Sequence, residues 1–169
     1  MYECVVICVS AGGMNALGSI FPEFSEDFPF SILTVQRIRT GSDTFLSEYI
    51  NDISRIKVKE AQPWETVECG SAYFSPSGYQ LLVDDERRIN LSDDDPVYYS
   101  MPSVDVLFES AVDVYRDKLV AVILTGANDD GARGLGKIKE HGGLTVVQDP
   151  ATTEAAAMPE ATIKLTELD

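Results

Sequence analysis

Apolar runs of strand length alternate with helical patterns along this chain: Val5–Val9 then Met14–Ile20, Ser31–Val35 then Thr44–Ile53, Leu119–Leu124 then Ala132–Glu140, and last Leu144–Val147. A strand that reads as a continuous apolar run is buried on both faces, and an amphipathic helix after it supplies the crossover to a parallel neighbour. The pattern predicts an α/β fold: a doubly wound three-layer α/β/α sandwich with a mostly parallel sheet. With 169 residues and no repeat, heptad or low-complexity linker, one domain over residues 1–169 is expected.

The middle of the chain reads differently. Gly70–Ser75 and Gln80–Val83 flank the turn Pro76-Ser77-Gly78, and Arg88–Leu91 follows the acidic stretch Asp84–Arg87, so an antiparallel hairpin extension is expected around Gly70–Leu91. Pro102-Ser103 then opens a helix with Asp105 in its first turn and Val104, Leu107, Phe108, Ala111 and Val112 on one face.

Charge excludes several function classes. The formal net charge of −15 sets up a field that repels phosphate backbones and anionic lipid, which argues against nucleic-acid binding. No run approaches the ~18 apolar residues of a membrane span, and MYECVVICVS has no basic leader, so no membrane insertion and a cytoplasmic location are expected. Cys4, Cys8 and Cys69 have neither disulfide-framework nor zinc spacing, and the acidic clusters Asp84-Asp85-Glu86 and Asp93-Asp94-Asp95 lack a calcium loop's spacing and glycine. No metal and no cofactor are expected.

In open α/β sheets ligands bind beyond the carboxyl ends of the strands. Three turns leave strands at that edge: Ser10–Gly13, Gln36–Ser42 and Thr125–Gly131. Ser10 stands where an α/β enzyme exposes a nucleophile, but SAGG alone reads equally as a helix cap or an anion-binding loop. A serine hydroxyl also needs a base. The one histidine, His141, follows a helix and precedes the strand at Leu144, which puts it at the opposite edge of the sheet near a helix C-terminus.

The whole string resembles the catalytic domain of the CheB-type chemotaxis methylesterases. The pieces that carry the resemblance are VSAGGMNAL (Val9–Leu17), TVQ (Thr34–Gln36), VECGSAYFSPSGYQLLV (Val67–Val83), MPSVDVLFESA (Met101–Ala111), AVILTGANDDGARGL (Ala121–Leu135), GGLTVVQDP (Gly142–Pro150) and AAAMPEA (Ala155–Ala161). They keep the family's order and cover nearly the whole chain. Such enzymes hydrolyse glutamyl methyl esters, and deamidate glutamine, on chemoreceptors, so the resemblance implies the cytoplasmic region of a chemoreceptor or another protein as partner. It also implies a further strand and helix after Asp169 and a receiver domain supplied separately.

Carried over by position, Ser10 matches the nucleophile and Asp130 the aspartate that orients the catalytic histidine. Ala11, Gly12, Gly13, Gly126 and Ala127 fall in the oxyanion and cleft segments. The histidine position, directly after the glutamine that ends the second strand, is Arg37. Arginine stays protonated at any accessible pH, so Arg37 cannot be the general base; a guanidinium there is expected to pair with Asp130 instead. Ala127, Met101 and Gln80 also replace the methionine, arginine and histidine common in the family. Two readings follow: an ester hydrolase of weak or no activity, and a non-catalytic module that keeps the family's receptor or partner surface. A phosphate-binding reading of Ser10–Gly13 lacks both a Walker lysine and G-x-G-x-x-G spacing.

Overall fold

The computed structural model describes residues 1–37, 44–93 and 101–166. The turn expected beyond Arg37, positions 94 and 95 of the second acidic cluster, and Asp169 lie outside them. Eight strands occur among the described residues: β1 (Cys4–Val9), β2 (Ser31–Gln36), β3 (Lys57–Glu60), β4 (Ser71–Phe74), β5 (Gln80–Val83), β6 (Ile89–Ser92), β7 (Leu119–Ile123) and β8 (Leu144–Val147). The helices are α1 (Gly13–Ile20), α2 (Thr44–Ile53), α3 (Val104–Tyr115), α4 (Ala132–Glu140) and α5 (Ala157–Leu165).

Six strands form one sheet in the order β3-β4-β2-β1-β7-β8, and every neighbouring pair is parallel. Central β1 is buried along its whole length, and its alternate residues feed two cores. Val5, Ile7 and Val9 pack with Leu17, Phe21, Leu46 and Ile50 under α1 and α2. Cys4, Val6 and Cys8 pack with Val104, Leu107, Phe108, Leu135, Ile138 and Met158 under α3, α4 and α5. This period-two division is what an apolar run requires when both faces are covered. Burying a side chain such as Phe108, wholly inaccessible here, contributes about 1.5–3 kcal/mol. None of the described helices is long and apolar enough to cross a membrane.

The expected hairpin is present but begins later than Gly70. Ser71–Phe74 joins the parallel sheet between β2 and β3, and the antiparallel pair is β5 with β6, Gln80 opposite Ser92 and Val83 opposite Ile89. Pro76-Ser77-Gly78 is therefore a crossing from the sheet to the hairpin. The hairpin closes at Asp84, whose Oδ1 accepts from the N–H groups of Glu86 and Arg88, and it leans on α3 through a bond from Val83 N–H to Ser110 Oγ.

Two elements had no clear signal in the sequence. Strand β3, KVKE, is a sheet edge with Val58 as its one fully buried residue, so it has no apolar run to read. Helix α5 carries Pro159 in its first turn and buries only Met158, Pro159 and Thr162.

Candidate active site

The chain leaves β1 for β2 on one side and crosses to β7 on the other, so a crevice opens where the sheet order reverses. Backbone bonds fix three strand ends around it. Ser10 N–H donates to Thr125 O at 3.0 Å, Leu124 N–H to Cys8 O at 2.9 Å, and Arg37 N–H to Val9 O at 3.1 Å. A cleft of about 970 Å³ lies there, lined by Ser10, Ala11, Gly12, Gly13, Gln36, Arg37, Met101, Ala127, Asn128 and Glu154 among others. The serine turn and the residue in the family's histidine position thus face one space.

The turn is held by packing. Gly12 caps α1 with φ +81°, a backbone conformation that favours glycine, and a Cβ on it would lie 2.7 Å from Cβ of Glu154. Thr125 ties the turn to the segment before α5: its Oγ1 donates to Ala11 O at 2.8 Å and accepts from Ala155 N–H at 2.9 Å. Asn15 Nδ2 donates to Glu154 Oε1 across the same junction. Gln36 closes the cleft against α1, with its Oε1 buried and unpartnered among the described residues.

The expected backbone donors divide into two groups. Gly13 N–H is committed to Ser10 O at 2.9 Å, and Gly126 N–H to Ala155 O at 2.9 Å. Gly126 does not line the cleft, and a Cβ on it would meet Met158 Cε at 2.8 Å, so packing explains its glycine. The N–H groups of Ala11, Gly12 and Ala127 have no acceptor among the described residues. The Ser10 hydroxyl has no base bonded to it there either.

Asp130 lies just beyond the cleft lining. Its Oδ2 accepts from Val104 N–H at 2.9 Å, and its Oδ1 from Asp105 N–H and Ser103 Oγ–H, both at 3.2 Å. The carboxylate thus caps α3 from another element, where the helix macrodipole also favours it. No ion pair joins Arg37 to Asp130 among the described residues, contrary to the expected pairing; the bonds that Asp130 makes at the amino end of α3 hold its carboxylate there. Gly131, next in sequence, takes φ +98°, and a Cβ there would lie 2.4 Å from Val104 Cγ1.

Asp105 returns the contact. Its Oδ1 accepts from Gly134 N–H at 2.6 Å in the first turn of α4, so α3 and α4 cap each other through two carboxylates. Burial pushes the Asp105 carboxyl above the ordinary aspartate value of 3.8; the Gly134 bond opposes this, and the nearby Asp130 charge adds to it. A raised folded-state value means that this group's stabilising contribution is complete below 3.8 and is lost as pH rises through the folded value. Asp105→Asn keeps an acceptor for Gly134 and removes the charge. Its urea midpoint is expected to equal or exceed that of the wild type at pH 7, with the difference vanishing in acid below the ordinary aspartate value. A lower midpoint at pH 7 would show that the carboxylate's charge stabilises the fold.

His141 sits at the end of α4, where its Nδ1 donates to Lys137 O at 2.8 Å. It is exposed, it precedes β8 at the amino edge of the sheet, and it does not line the cleft. Glu154, Asn15 and Gln36 do line it, and the sequence reading gave none of them a role. Asn15 and Glu154 are 139 positions apart, and no local pattern joins them.

Comparison with known proteins bears on the family and the fold. The CheB methylesterase family model matches residues 5–169. A Leptospira interrogans protein is 48% identical over 168 residues, covering 99% of this chain and 87% of its own length. A Symbiobacterium thermophilum relative named protein-glutamate methylesterase/protein-glutamine glutaminase is 38% identical over 161 residues, 95% of this chain and 44% of that protein. The crystal structure of the Thermotoga maritima CheB methylesterase catalytic domain superposes with a TM-score of 0.93 at 32% identity, over 97% of this chain and 88% of that one. The chain belongs to the CheB methylesterase family.

Proposed function

We propose that this chain is a protein-glutamate methylesterase domain that takes a glutamyl methyl ester, or a glutamine, of a chemoreceptor's cytoplasmic region into the cleft. It hydrolyses that group slowly for want of an imidazole. One observation carries the reading: Ser10, Arg37 and the N–H groups of Ala11 and Ala127, which have no acceptor among the described residues, belong to the lining of a single cleft. Attack by Ser10 Oγ on the side-chain carbonyl would place negative charge on the carbonyl oxygen, and backbone N–H groups stabilise such an oxyanion whatever their side chains. Ser10 would release methanol and form an acyl-enzyme that water then cleaves. Arg37 cannot take the serine proton, so water must carry it to the departing methoxide, which leaves as methanol, or to the departing nitrogen of a glutamine, which leaves as ammonia. We place the domain in the cytoplasm.

The test is methanol release from methylated receptor by wild type and Ser10→Ala. Slow release by the wild type, lost in Ser10→Ala, is expected; equal release by both proteins would remove Ser10 from the chemistry. The second reading, a binding module, rests on the permanent charge of Arg37 in the cleft, which suits a carboxylate better than an ester. Receptor binding by a wild type that releases no methanol favours it.

A further inference from the structure

A second cavity, of about 280 Å³, opens on the other side of the serine turn and shares Gly12, Asn15 and Glu154 with the cleft. Its lining is aliphatic at Ala16, Ile20 and Leu124, and it bears oxygens at Ser19, Thr152 and Glu154. The hydroxyl hydrogens and the Gln148 amide hydrogens on its wall are spent internally. Ser19 Oγ donates to Asn15 O, Thr125 Oγ1 to Ala11 O, Thr152 Oγ1 to Asp149 O, and Gln148 Nε2 to Thr152. Acceptors remain. Glu154 is the one charged residue of this lining; its Oε1 takes the Asn15 amide, and its Oε2 has no partner among the described residues.

A cavity with an aliphatic wall, spent hydroxyl donors and one open oxygen on an exposed carboxylate favours a cationic group with an apolar stem over an anion. Lysine fits that description: its ammonium carries three donors and no acceptor, and its four-carbon stem packs on apolar surface. We infer that this cavity receives a lysine side chain of the polypeptide that carries the esterified glutamate, with Glu154 as the residue that sets the preference. The inference rests on the reading of the Ser10 cleft as a glutamyl-ester site. Because the two spaces meet at Gly12, Asn15 and Glu154, one extended or helical segment fills both, its glutamyl side chain at Ser10 and its lysine a few residues away.

The experiment measures binding of dye-labelled glutamine peptides to wild type and to Glu154→Gln, with lysine or norleucine placed in turn at each position flanking the glutamine. At one or two positions lysine is expected to tighten binding by about tenfold over norleucine, as a charge-assisted bond at a half-open site allows. In Glu154→Gln, which keeps an acceptor for Asn15, the ratio of lysine-peptide to norleucine-peptide affinity is expected to fall to about one, whatever the substitution does to the binding of both. A lysine gain that survives Glu154→Gln overturns the inference. An equal gain at every position does too, since it reports only attraction to an acidic surface. If no glutamine peptide binds at all, both this inference and the reading of the Ser10 cleft fall; binding without lysine preference removes this inference alone.

Discussion

Arg37→His is expected to raise methanol release from a glutamyl methyl ester by about 10³-fold or more, because loss of a triad member costs serine hydrolases roughly 10⁴- to 10⁶-fold. The substitution supplies an imidazole, which the described residues lining the cleft lack. Ser10 stands at the carboxyl end of β1 and position 37 at the end of β2, and the two strands are paired in register through Val9 and Gln36. A neutral imidazole at 37 accepts a proton near pH 7, whereas the guanidinium never does. Ser10→Ala added to Arg37→His must return the rate to background. The gain should also follow a sigmoid in pH, rising as the new imidazole loses its proton, with no such dependence in the wild type. If Arg37→His is no faster while the wild type releases methanol rapidly and Ser10-dependently, another group is the base, and the cause assigned here to slow turnover is wrong.

The layers of this fold were legible in the sequence because both faces of the sheet are covered. Val5–Val9, Ser31–Val35 and Leu119–Leu124 read as unbroken apolar runs for that reason, and each became a central strand within a residue of its expected limits. Strand β3 escaped because an edge strand needs only one buried face, and Val58 alone marks it. The hairpin was read with its first strand misplaced, since SAYF is short and its partners β2 and β3 are distant in sequence. At the site, Ser10, Arg37 and Ala127 were legible as strand ends at one edge. The commitment of Gly126 N–H to Ala155, the Asn15 to Glu154 bond and the capping of α3 by Asp130 are contacts between segments far apart in the chain, so no local pattern encodes them.

Asp130→Ala is expected to cost about 2–4 kcal/mol of folding stability, more than an ordinary cap deletion of about 1 kcal/mol. Two of the donors it satisfies are the N–H groups of Val104 and Asp105, and both residues are buried, at 0% and 5% exposure. Water cannot readily replace the carboxylate there, so truncation leaves buried donors unpaired. Ser103 occupies the cap position of α3, but its side chain donates to Asp130 and does not cap the helix itself. Asp130→Asn retains one acceptor and loses the charge that the helix end favours, and should cost about half as much. Urea unfolding at pH 7 reads both changes. A loss under about 1 kcal/mol for Asp130→Ala would mean that the α3 terminus finds water, and that Asp130 is held for the cleft alone. The reciprocal bond from Gly134 to Asp105 adds a second check. Removing the Asp130 charge takes away part of what raises the Asp105 carboxyl, so the benefit expected of Asp105→Asn at pH 7 should shrink in an Asp130→Asn background. Strict additivity of the two substitutions would separate the carboxylates, and with them the mutual capping of α3 and α4 that fixes the turn between β7 and the cleft.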